Sequence, residues 1–204
     1  MTDESSIKQL PLHVAGELDL CNFFISNAIV RIKCSNSYLF ALVKNNDIEL
    51  VKSLLSENTD LDINAEDENG ITALIEACII GNVTIVEILL ENGSLAEPLP
   101  GFRHSPLRGA SVCGQVEIMS ILLKSGASPN ALSEGNRTPL MGACFLRNGV
   151  AKSMSAKCVK VLLDDERTDI TIKNSFGETA LDLAKVRGYN DSIILIEEAL
   201  EQKK

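Results

Sequence analysis

The sequence predicts an all-α solenoid of stacked helical hairpins, and two observations carry that reading. The first is a repeat: His104-Ser-Pro-Leu-Arg-Gly-Ala110 returns as Arg137-Thr-Pro-Leu-Met-Gly-Ala143, 33 residues on. Weaker copies flank the pair, with Thr72-Ala-Leu-Ile-Glu-Ala77 starting 33 residues before Ser105 and Thr179-Ala-Leu-Asp-Leu-Ala184 starting 41 after Thr138. Self-similarity at this period marks a chain built from one stacked unit. The second observation is that every copy reads as a helix start. A Ser or Thr hydroxyl can accept from the unpaired N–H groups of a first turn. Proline suits the next position, because its fixed φ is already helical and its missing N–H costs nothing there.

These stretches resemble the ankyrin-repeat family, whose unit is about 33 residues with a T-P-L-H-x-A start, a turn and two antiparallel helices. The likeness extends to Gly81 and Gly114 between the helices, and to the leucine pairs Leu54-Leu55, Leu89-Leu90, Leu122-Leu123 and Leu162-Leu163. It also takes in Gly93 and Gly126, where a second helix must stop, and the closing phrase Ser125-Gly-Ala-Ser-Pro-Asn-Ala131. The resemblance covers about 170 residues. It implies an ankyrin solenoid with β-turn fingers and a concave face lined by the first helices.

In chain order, residues 1–7 read as a tail. Residues 8–35 read either as a degenerate first repeat opened by Leu10-Pro-Leu-His-Val-Ala15 or as an unrelated N-terminal helix. The unit 36–66 has Tyr38-Leu-Phe-Ala-Leu-Val43 as first helix and Ile48-Glu-Leu-Val-Lys-Ser-Leu-Leu55 as second, with an apolar stripe at helical period. Units 67–99 and 100–132 follow, the former with its Asn69-Gly70 turn. Residues 133–173 carry extra chain between the two helices around Arg147 to Ser153, with the turn signal Asn148-Gly149. Residues 174–204 close the array as a cap, its last helix ending in charge.

Composition narrows the function. The net charge is −9, which favours solubility and argues against general nucleic-acid binding. Aromatic residues make up 4% with no Trp, in keeping with thin, close-packed helix layers. Six cysteines without a C-x-x-C pair suggest small core residues in a reducing cytosolic or nuclear setting, not a disulfide framework. A polar, acidic start and short apolar runs predict neither a signal peptide nor a membrane span.

Catalytic material is sparse. The histidines are His13 and His104, and the imaginable His104–Cys113 pair is better read as a turn residue and a core residue. Asp67, Asn69, Gly70 and Glu76 partly imitate a calcium loop, but Ala65 stands where the first ligand belongs. No metal site, cofactor or catalytic residue is expected. Charge is the informative feature. Residues 135–163 hold Arg137, Arg147, Lys152, Lys157 and Lys160 without an acid, and residues 98–116 hold Arg103 and Arg108, again without one. Those seven positive charges leave −16 for the rest of the chain if the total is −9.

The resemblance implies a non-enzymatic adaptor, inhibitor or scaffold, monomeric and off the membrane. It places Gly109 and Gly142, unusual inside helices, on the concave face. Ile75, Arg108, Met141 and Asp182 stand where the family carries its His; His13 alone keeps it. The expected partner is an acidic peptide or loop across units 100–132 and 133–173, held by Phe102, Arg103, His104, Arg108, Gly109, Arg137, Met141, Gly142, Phe145 and Arg147. An anionic small molecule or a nucleic-acid phosphate at the same patch is the alternative, and an enzyme the third reading.

Overall fold

The computed structural model describes the backbone of residues 28–57, 61–97 and 103–202, with side chains from residue 36 onward. The tail expected at 1–7, most of the degenerate unit and Phe102 lie outside the described residues. Ten helices form five pairs among the described residues: α1 (Ala28–Lys44) with α2 (Ile48–Glu57), α3 (Ala73–Ile80) with α4 (Val83–Glu91), α5 (Pro106–Val112) with α6 (Val116–Lys124), α7 (Pro139–Ala143) with α8 (Ser153–Leu163), and α9 (Ala180–Arg187) with α10 (Asn190–Gln202). Each first helix packs on the next first helix and each second on the next second, giving two layers. The all-α stack read from the sequence is the fold. Helix α1 differs in length, starting at Ala28 instead of Tyr38, because residues 28–37 contain neither Gly nor Pro to stop it.

The repeated stretches open helices as their chemistry requires. The side chains of Thr72, Ser105, Thr138 and Thr179 accept from the N–H groups of Ile75, Arg108, Met141 and Asp182. Each such cap is worth about 1 kcal/mol. At Thr179 the bond is reciprocal, since Asp182 accepts from the Thr179 N–H and hydroxyl. The small Ala77, Ala110, Ala143 and Ala184 are fully buried and let the next helix approach. The leucine stripe of the second helices is likewise interior at Leu89, Leu122 and Leu162. Burying each such side chain contributes roughly 1.5–3 kcal/mol.

Before α3, α7 and α9 the chain makes a finger. Asp67 accepts from the Asn69 and Ile71 N–H groups, Ser133 and Arg137 form an antiparallel bridge, and Asn174 accepts from Phe176 and Glu178. The fingers are joined: the Glu134 N–H donates to the Arg103 carbonyl (2.8 Å) and the Ser175 N–H to the Gly135 carbonyl (3.0 Å). The opposite loops are stitched by a polar side chain recurring every 33 residues. Asn64 bonds Gly93 and Leu95, Glu97 accepts from Ser128, and Asn130 bonds Arg167 and Asp169.

The extra chain at 144–152 is held from both sides. Its Arg147 N–H donates to the Val112 carbonyl at 2.9 Å in the preceding unit. Val150 and Met154 close over Gly114, where a Cβ would lie 2.9 Å from Val150 Cγ1. Gly114 also sits at φ +73°, so two independent constraints require glycine there. From the following unit, Arg187 donates to the Leu146 carbonyl (2.9 Å) and stacks 4.2 Å above the Phe145 ring.

Candidate partner-binding surface

Three of the expected cations gather at the finger end of the first-helix layer. Arg103 is exposed, its stem lying across the Gly70 turn of the preceding finger. Arg137 is exposed on the next finger. Between them Arg108 rises from the first turn of α5, its chain passing over Gly142 of α7. The Arg108 side chain is half-buried, and its Nε is enclosed without a hydrogen-bond partner among the described residues. Burial first, and then the neighbouring Arg137, pulls its guanidinium below the ordinary value, with Glu134 acting the other way. An arginine so placed is desolvated, remains charged at neutral pH, and lacks an acceptor at one nitrogen. His104, half-buried, adjoins the group at the start of the same unit.

The remaining expected residues part company with this cluster. Met141 is 2% exposed and belongs to the core, so it cannot supply apolar contact to a partner. The cause is stacking: the residue at its position in α3, Ile75, is buried too, because side chains here lie against the next unit. Gly142 is also buried, and a Cβ there would lie 3.1 Å from Val112 Cγ2 and 3.3 Å from Ser111 Cβ. Its glycine answers crowding between helices. Gly109 is different: it is half-exposed, and a Cβ would meet Ile75 and Ile79 only at ordinary distances of 3.6 and 3.7 Å. Phe145 and Arg147 are both exposed, but beyond the C-terminal end of α7, away from the fingers.

Sequence reading missed Glu134, which lies one residue before the acid-free stretch yet reaches Arg108. It also missed Arg187 and the recurring loop bonds of Asn64, Glu97 and Asn130. The 33-residue register of the latter was the signal available.

The four described thiols are poorly suited to nucleophilic chemistry. Burial raises the Cys78 thiol and pushes Cys144 and Cys158 up to about 12. Cys113, expected in the core, is only half-buried because it caps the end of α5. Burial still raises its thiol, against a hydrogen bond from Arg147. His104 and Cys113 flank opposite ends of α5, which at seven residues is about 10 Å long, so they do not form a catalytic pair. Asp67 Oδ1 accepts from the Asn69 and Ile71 N–H groups and so shapes the finger turn.

The fold and its fingers define a helical-repeat protein of the kind that presents a surface to other macromolecules. More particularly, residues 39–133 match the family model described as ankyrin repeats, in three copies. A segment of 70 residues is 36% identical to inversin of Danio rerio, which is 34% of this chain and 7% of that protein. The chain thus spans a small fraction of this relative. Ankyrin repeats generally mediate protein–protein interaction. No helix among the described residues is long and apolar enough to cross a membrane.

Proposed function

We propose that the chain is a non-enzymatic recognition module that holds an acidic peptide or loop of another protein across units 100–132 and 133–173. Arg103, Arg108 and Arg137 pair with carboxylates, and Gly109 leaves room for the bound backbone beside Arg108. The observation that carries this reading is the Arg108 side chain, half-buried beside a second cation with its Nε unpartnered. A carboxylate placed against the guanidinium offsets the repulsion from Arg137 and compensates the charge for its lost water. The four described cysteines are free, which supports a reducing compartment, cytosol or nucleus.

The test is charge reversal, Arg108→Glu with Arg137→Glu, on a protein that retains its melting temperature. Binding of an acidic protein partner should weaken by more than about tenfold. Unchanged binding sinks the reading. Binding that instead follows RNA, DNA or inositol phosphates with a steep salt dependence shifts the patch to phosphate recognition.

A further inference from the structure

One carboxylate stands among the finger-side cations without a bond to any of them. Between residues 98 and 163 the acids are Glu117 and Glu134. Glu117 lies in the first turn of α6, in the second-helix layer, so Glu134 is the acid on the finger side of this stretch. Its place is fixed through the backbone. The Glu134 N–H donates to the Arg103 carbonyl at 2.8 Å, and the Ser133–Arg137 bridge closes the finger around it. Ser133 is buried, and its Oγ accepts from the Ser105 N–H at 3.2 Å, which pins that finger to the start of α5. The Glu134 side chain, by contrast, is exposed and makes no hydrogen bond or ion pair among the described residues. An acid that served only to quiet the repulsion between Arg108 and Arg137 would close on one of them. Glu134 is near enough to act on the Arg108 charge, yet it pairs with neither. Arg103 lies across Gly70, and Arg137 folds back over Gly135, its Nε 3.7 Å from where a Cβ would stand. The surface therefore presents Arg103, Glu134 and Arg137 in alternating charge, with Arg108 below.

We infer that Glu134 reads a cation in the partner: the segment held here carries a Lys or Arg between its carboxylates. This rests on the acidic partner proposed for the cluster, and it narrows that partner's chemistry. The carboxylates pair with the arginines, and the intervening cation pairs with Glu134. The same residue discriminates, because a segment of unbroken negative charge, or a phosphate backbone, brings an anion against Glu134 and is repelled.

The full chain is titrated, by fluorescence anisotropy, with labelled peptides of Glu and Ala. One interior residue is Lys, its place moved along the peptide, and matched peptides carry Gln or Glu there. The wild type should bind the best Lys peptide about two- to fivefold more tightly than its Gln and Glu counterparts, the range of an exposed ion pair. Glu134→Gln should remove that preference, and Glu134→Lys should reverse it in favour of the all-acid peptide. The side chain is exposed, and an unchanged melting temperature verifies the fold. Equal binding of Lys and Gln peptides at every position, or a preference that survives Glu134→Gln, overturns the inference. If acidic binding is still lost on Arg108→Glu/Arg137→Glu, the reading it rests on stands. Binding indifferent to that reversal, or no binding of any acidic peptide, overturns both.

Discussion

At the scale of single residues, two glycines that look alike in sequence have different causes. Gly109→Ala adds a Cβ at ordinary contact distance from Ile75 and Ile79, and removing a helix-interior glycine gains up to about 1 kcal/mol. Gly142→Ala brings a Cβ to 3.1 Å from Val112 Cγ2 in a buried seam, so the same gain is spent on strain. Thermal melts should rise for Gly109→Ala and fall for Gly142→Ala; the reverse order contradicts this account. Cysteines separate in the same way. With neutral iodoacetamide, Cys113 should be alkylated first of the four described thiols, because Cys78, Cys144 and Cys158 are buried and raised further from ionisation. Peptide mapping that finds Cys144 or Cys158 labelled first would refute it. Both distinctions were hidden in the sequence, since a repeat register places equivalent residues but does not say how far apart successive helices settle.

At the scale of elements, the legible part was whatever obeyed the period. Caps at Thr72, Ser105, Thr138 and Thr179, the leucine pairs and the finger turns follow from residue type and spacing alone. What escaped was created by departures from the period. The short α7 ends at Ala143, and its unfinished C-terminal end is completed by a side chain: the buried Ser155 hydroxyl of α8 donates to the Ala143 carbonyl (2.7 Å) and lies 2.7 Å from Ser192 Oγ of α10. Ser155→Ala should cost about 1–2 kcal/mol in urea denaturation, since it strands a buried carbonyl and a buried hydroxyl. The double variant with Ser192→Ala should cost less than the sum of the two, because both changes remove one shared bond. Strict additivity would mean that the hydroxyls act separately. The sequence offered no signal for this triad, because its members come from three helices.

At the scale of the whole molecule, the array is one-dimensional: each unit touches its neighbours, so stability is close to a sum of local terms. The insertion strengthens that sum locally by reaching back to Val112 and forward to Arg187. The acidic chain concentrates its acid-poor stretches in units 100–132 and 133–173, and a net-negative protein with such a positive region steers acidic partners toward it. Of the candidate site, the arginines were legible from charge alone, whereas the burial of Met141 and the separation of Phe145 and Arg147 from the fingers needed the stacking. The central claim is that the desolvated Arg108 with Arg137 holds an acidic protein. Affinity capture with quantitative mass spectrometry, comparing the wild-type chain with Arg108→Glu/Arg137→Glu, tests it most directly. One or more acidic partners captured by the wild type should be lost from the reversed chain; an unchanged set of captured proteins would contradict the claim.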